Sequence, residues 1–161
     1  MTFKTADLCD DHFDSGTLQI CEPIFGDFGG RNKFYGEVHT IHCFEDNSMV
    51  REAVALDGKG KVLVIDAGAS FRCAMLGDLL AAKAVSNGWE GVIMHGLIRD
   101  SADIETMDLG VKALGTYPLK SVKNNKGVHN IEVAFAGVRF NPGNFVYADE
   151  DGIILSPTAL I

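Results

Sequence analysis

Two short apolar runs constrain this chain most: Lys61-Val62-Leu63-Val64-Ile65-Asp66 and Gly91-Val92-Ile93-Met94-His95. Each is too short for a typical helix and too uniformly apolar for a strand with one wet face, so each predicts a buried strand. Between them lies an alanine- and leucine-rich stretch that closes at Asn87-Gly88, a fitting helix stop. Strand, helix and strand in that order predict a parallel βαβ unit with a right-handed crossover. Ligands of such units sit beyond the carboxyl ends of the strands. Asp66-Ala67-Gly68 and the segment from Gly96 to Asp100 fall there. The helix either runs on from Ser70 or restarts at Gly77, and both remain open at this level.

Around this unit the pattern is less regular. Thr5 or Asp7 can cap a short helix through His12. Residues 18–25 read as a strand, 26–31 as a glycine-dense tight turn, and 34–44 as a long alternating strand. Ser48 is placed to cap a helix running to Leu56. Beyond Val111 short strands are expected over 111–114, 131–135, 138–140, 145–148 and 153–155, while 120–127 is a basic polar loop. With 161 residues, 47% of them hydrophobic, the chain reads as one α/β domain over residues 1–161, strand-rich in its C-terminal half.

Composition excludes some functions. A net charge of −8 disfavours direct binding to a nucleic-acid backbone and is compatible with docking on a basic protein surface. The N-terminus lacks the apolar core of a signal peptide, and no apolar run is long enough for a membrane-spanning helix, so a cytoplasmic protein is expected. Cys9, Cys21, Cys43 and Cys73 are widely spaced, which suits reduced, packed thiols better than a zinc site.

The segment Arg99-Asp100-Ser101-Ala102-Asp103 carries the sharpest chemical signal. A guanidinium offers a planar fork for a carboxylate, and aspartates offer hard oxygen ligands for a divalent cation. The plainer reading is a salt bridge, or a cap by Asp100 on a helix through Glu105 with Asp103 in its first turn. Upstream, Gly77-Asp78-Leu79-Leu80 can open a helix whose backbone N–H groups receive an anion. Taken with Arg99 and Asp100, it suggests an anionic substrate held beside a metal. Other candidates are weaker. His39 and His42, three apart on a strand, point to opposite faces. His95 reads as a packed or hydrogen-bonded histidine, and His12 and His129 have no evident partners. Ser70 lacks the surroundings of a nucleophile, and the glycines at 26–31 match no phosphate-binding motif.

Several segments together resemble the RraA-like family along nearly the whole chain. They are Asp7-Leu8-Cys9-Asp10, Phe28-Gly29-Gly30-Arg31, Cys43-Phe44-Glu45-Asp46-Asn47, Val64-Ile65-Asp66-Ala67-Gly68-Ala69-Ser70, Asn87-Gly88-Trp89-Glu90-Gly91 and Tyr147-Ala148-Asp149-Glu150-Asp151-Gly152. That family includes the regulator of ribonuclease E activity A and the class II 4-hydroxy-4-methyl-2-oxoglutarate aldolases. The aldolases carry a glycine, about twenty residues, Arg-Asp, and an acidic residue after two more positions. Here residues 78–98 separate Gly77 from Arg99-Asp100, and Asp103 fills the last position. The chain resembles the regulators in length and lacks the C-terminal extension of longer aldolases.

The resemblance implies a swivelling β/β/α domain and a homotrimer. It implies that Gly77, Asp78, Leu79, Leu80 and Arg99 bind a 2-oxo acid and that Asp100 binds Mg²⁺ or Mn²⁺. Arg99, Asp100 and Asp103 are the expected catalytic residues, with Asp103 orienting water around the metal. The implied activity is retro-aldol cleavage of 4-hydroxy-4-methyl-2-oxoglutarate to pyruvate, with oxaloacetate decarboxylation through the same pyruvate enolate. The competing expectation is a non-enzymatic inhibitor that binds ribonuclease E. A demethylmenaquinone methyltransferase is not expected, because no nucleotide-binding fingerprint is present.

Overall fold

The computed structural model describes residues 2–161. In chain order the strands are β1 (Gln19–Ile20), β2 (Gly26–Asp27), β3 (Phe34–His42), β4 (Lys61–Asp66), β5 (Ala74–Leu76), β6 (Gly91–Ile98), β7 (Gly110–Thr116), β8 (Val128–His129), β9 (Val133–Phe135), β10 (Val138–Phe140), β11 (Phe145–Asp149) and β12 (Gly152–Ser156). The α-helices are α1 (Thr5–His12), α2 (Ser48–Val54), α3 (Asp78–Ser86) and α4 (Ser101–Ile104).

The main sheet runs β1-β12-β11-β3-β4-β6-β7-β2, and its centre, β3-β4-β6-β7, is parallel. The expected βαβ unit is β4-α3-β6, flanked by two further crossovers through α2 and α4. Both faces of β4 are covered, which explains its unbroken apolar run. Leu63 and Ile65 face a cluster with Val50, Ala53 and Val54 of α2 and Ala81 and Ala84 of α3. Val62 and Val64 face the β9–β10 hairpin through Val133, Phe135, Val138 and Phe140. The layers are therefore hairpin, sheet and helices. Phe34, fully buried, crosses the inner strands where Gly91 and Gly110 leave room: a Cβ at either would lie within 2.3 Å of its ring. No helix among the described residues is long and apolar enough to cross a membrane.

Several boundaries differ from expectation. Residues 70–76 are not helical. Gly68 and Ala69 take positive φ, and Ala74–Leu76 pairs in parallel with β6, so the helix starts only after Gly77. Residues 18–25 form a strand only at Gln19–Ile20, ahead of Pro23, which has no N–H for a ladder. The expected turn at 26–31 begins instead as an edge strand, with Gly26 and Asp27 opposite Ala113 and Lys112 of β7. Ser48 does not cap α2; it is the first helical residue, and its N–H donates to Asp46 Oδ1 at 2.9 Å. Neither Thr5 nor Asp7 caps α1. Thr5 opens that helix and directs its N–H and hydroxyl to Asp149, at 2.7 and 2.6 Å. The four cysteines are free thiols, and burial pushes those of Cys21 and Cys43 up to about 12.

Candidate functional site

Strand β6 ends at Ile98, and Arg99 continues alongside β5 through its N–H, which donates to the Leu76 carbonyl at 2.9 Å. Asp100 then turns into the left-handed region (φ 54°, ψ 38°), a conformation in which a non-glycine residue stores strain. Its carbonyl accepts the N–H groups of Asp103 and Ile104, both at 3.0 Å, and so starts α4. Its carboxylate does not cap α4, contrary to the plainer expectation. It turns back to α3, where Oδ2 accepts the Asp78 N–H at 3.1 Å, with Arg99 Nε 3.7 Å away.

Gly77 is what allows this convergence. A Cβ there would lie 2.8 Å from Asp100 Oδ2 and 3.2 Å from Arg99 Nε. The glycine and the Arg-Asp pair, far apart in sequence, are thus one packing unit at the N-terminus of a nine-residue helix. Gly77, Asp78, Leu79, Leu80 and Arg99 line a pocket of about 190 Å³. Its remaining wall comes from Ala74 of β5, from Asn47 just before α2, and from Lys120 and Lys123 of the basic loop. Asp100 stands at its edge through the Asp78 hydrogen bond. Asp103 is exposed on α4, outside the pocket lining.

The donor set suits a hard, mostly hydrated cation. Asp100 is about a third exposed, with 35% of its side chain open to solvent, and Oδ2 is engaged by a backbone N–H. One carboxylate with capacity to spare matches Mg²⁺, which commonly binds one or two carboxylates and keeps several waters. No cluster of three or more His, Cys, Asp or Glu side chains suited to a dedicated metal cage exists among the described residues.

Sequence reasoning missed a second polar group, formed by the ends of β3 and β4 and the middle of β6. Strand register puts His42 beside Asp66 and Asp66 beside His95. His42 Nδ1 lies 3.2 Å from Asp66 Oδ2, and His95 Nδ1 lies 3.4 Å from Oδ1. Burial opposes ionisation of Asp66, yet hydrogen bonds from His95, the Gly68 N–H and His42 hold its pKa below the ordinary value. His95 also stacks on Phe135, with ring centroids 4.6 Å apart, so the row faces the hairpin layer rather than α3. The signal was present as polar residues closing successive strand runs. His39 does point away from His42, and meets Trp89 and His129; the latter also reaches Glu52 at 3.4 Å.

A cavity of about 410 Å³ lies far from Arg99, lined by Thr5, Cys21, Phe25 and Lys112 among others. Lys112 is saturated, with Nζ 2.6 Å from both Asp27 Oδ1 and the Asp149 carbonyl. The raised Cys21 thiol is no nucleophile near neutral pH. Its lysine is paired and its buried thiol is inert, so neither is available for chemistry near neutral pH.

Comparison with known proteins shows the family. Residues 5–155 match the model of a family described as RraA-like: Aldolase/RraA. A protein of Dechloromonas aromatica, 55% identical over 99% of both chains, bears the name "Putative 4-hydroxy-4-methyl-2-oxoglutarate aldolase". So does one of Pseudomonas aeruginosa, 56% identical over 99% of this chain and 98% of its own. Among solved structures, the RNA-processing inhibitor RraA from Thermus thermophilis superposes with a TM-score of 0.95 at 39% identity, covering 100% of this chain and 96% of that one. A structure from Geobacillus kaustophilus, named as an S-adenosylmethionine:2-dimethylmenaquinone methyltransferase, also gives 0.95, at 49% identity over 98% and 97% of the two chains.

Proposed function

This chain belongs to the RraA-like family, and on that premise we propose that it is a divalent-metal-dependent lyase that cleaves 4-hydroxy-4-methyl-2-oxoglutarate to pyruvate. The observation that carries the reading is the meeting of Gly77, Arg99 and Asp100 at the N-terminus of α3. The backbone N–H groups after Gly77 and the Arg99 guanidinium receive the carboxylate next to the 2-oxo group. Asp100 would hold Mg²⁺ or Mn²⁺, which would supply positive charge beside the 2-oxo oxygen where negative charge develops.

The chemistry balances simply. The C4 hydroxyl proton leaves to a base, C4 becomes a carbonyl, and the C3–C4 bond breaks toward C3. The three-carbon enolate is then protonated at C3, so two pyruvates form. Oxaloacetate losing CO₂ yields the same enolate, which makes decarboxylation an expected second activity. Arg99 serves both as anchor and as a fixed positive charge beside the site. Asp103, on the solvent side of α4, orients water around the metal in this proposal.

The test is pyruvate release from chelator-stripped protein, with and without Mg²⁺ or Mn²⁺, on both acids. Metal-dependent release is expected, and none is expected from Asp100→Ala. Release that ignores the metal, or persists in the variant, overturns the proposal. The family resemblance implies a homotrimer with sites near subunit boundaries, where Leu79 (80% exposed) and Leu119 (61% exposed) would be covered. Light scattering tests it, and a monomer would refute it.

A second reading rests on the close match to the Thermus thermophilis RNA-processing inhibitor. With a net charge of −8, this chain can dock on a basic region of ribonuclease E. Inhibition of the purified endonuclease that survives in Asp100→Ala would establish that role alongside the lyase. The methyltransferase name of the Geobacillus relative is not carried over, because the chain lacks a glycine-rich nucleotide-binding turn.

A further inference from the structure

The basic loop at 120–127 is docked tightly, and the chemistry above leaves it unused. The Ala74 N–H donates to the Leu119 carbonyl at 2.7 Å, and the Ser121 N–H returns to the Ala74 carbonyl at 3.1 Å. The Asn47 N–H reaches the Val122 carbonyl at 3.3 Å. Asp46, only 2% exposed, accepts the Asn124 N–H at 2.6 Å, and Ser48 Oγ accepts the Asn125 N–H at 3.0 Å. The buried Asp46 carboxylate therefore ties the loop to the segment before α2, while the Ala74 backbone, three residues ahead of Gly77, pins it to β5. The docking places Lys120 and Lys123 in the wall of the pocket that Arg99 lines.

The pocket then carries more positive charge than one carboxylate requires. Arg99 and the start of α3 suffice for the carboxylate beside the 2-oxo group, yet Lys120 and Lys123 line the same small space. At about 190 Å³ it holds roughly six waters at ≈30 Å³ each, which suits a small acid and excludes a polyanion. Asn47 lines it too and is 5% exposed. Its Nδ2 donates to the Met75 carbonyl at 3.2 Å, while its buried Oδ1 has no partner. An unsatisfied buried acceptor calls for a donor that the fold itself does not supply.

We propose that Lys120 and Lys123, in the wall of the pocket that Arg99 also lines, form a seat for the far carboxylate of a dicarboxylic 2-oxo acid. This rests on the lyase reading and deepens it: the loop selects dicarboxylates over monocarboxylic 2-oxo acids. Asp46 is a positioning residue that holds the loop in place. No covalent step is added.

The test is calorimetric binding to the Mg²⁺-loaded protein of two acids that this chemistry leaves intact. 2-Oxoglutarate has two carboxylates and no 4-hydroxyl, and 2-oxobutyrate has one carboxylate. The protein should bind 2-oxoglutarate about tenfold more tightly, the scale of two half-exposed ion pairs. Lys120→Met/Lys123→Met should erase that preference and leave 2-oxobutyrate binding unchanged. Both lysines are exposed, so the fold should survive, and circular dichroism checks it. A preference that persists in the double variant overturns the proposal, as does no preference, or no binding of either acid, in the unmodified protein. The two readings fail separately. A lysine-dependent preference without pyruvate release leaves the seat standing and removes the lyase; release with no lysine-dependent preference does the reverse.

Discussion

Asp149, the last residue of β11, and Asp100, two residues beyond the end of β6, are used in opposite ways. Asp149, 3% exposed, accepts the Thr5 N–H and hydroxyl at 2.7 and 2.6 Å and the Asp151 N–H at 3.0 Å. Asp100, with 35% of its side chain exposed, accepts one N–H and sits on left-handed backbone. The first carboxylate is spent on holding α1 to the sheet. The second keeps most of its coordination capacity for something outside the chain. A saturated acid stabilises a fold, whereas an unsaturated one on left-handed backbone has capacity left for the proposed chemistry.

Substitutions can break this contrast. Asp100→Ala should lower turnover by about 10²–10³, roughly 3–4 kcal/mol, with thermal unfolding unchanged; steady-state kinetics beside a melting curve decide it. Gly77→Ala should come next. Its Cβ would displace the Asp100 carboxylate by close contact, and a misplacement of about 1 Å can cost 10² in rate. Near-normal rates would show that the glycine serves only the fold. Asp149→Ala should do the converse, losing about 2–3 kcal/mol in urea unfolding while activity per folded molecule holds.

The contrast sharpens with pH. Burial would raise the Asp149 pKa, but the Thr5 and Asp151 hydrogen bonds hold it below the ordinary value. A carboxyl depressed in the folded state stabilises above its unfolded pKa of about 3.9, and the contribution disappears as pH falls through the folded value. The stability gap between the protein and Asp149→Asn should therefore narrow below about pH 4. A constant gap would show that the ionised form is not what matters. The smallest effect belongs to Asp100→Gly, which relieves the left-handed strain and should raise stability by up to about 1 kcal/mol.

Much of this was legible in the chain. The doubly buried runs at Val62–Ile65 and Val92–Met94 announced parallel strands, and their carboxyl ends do hold Arg99 and Asp100. The start of α3 was not legible, because residues 70–76 are as apolar as a helix face. Pairing of Ala74–Leu76 with β6, a tertiary contact, settles it. The row of His42, Asp66 and His95 needs the register of three strands, which no local pattern carries. The basic loop could be read, but its destination depends on Asp46, far away in sequence.

The backbone of Asp100 has an evolutionary consequence. A residue held in a strained turn and tied by one hydrogen bond is easy for the fold to lose, and a glycine in its place would leave the protein sturdier. On the lyase reading, selection on the chemistry is what keeps it there. A lineage relieved of that chemistry should shed this aspartate early while the architecture persists, so one scaffold can pass from catalyst to partner-binding protein without crossing an unstable intermediate.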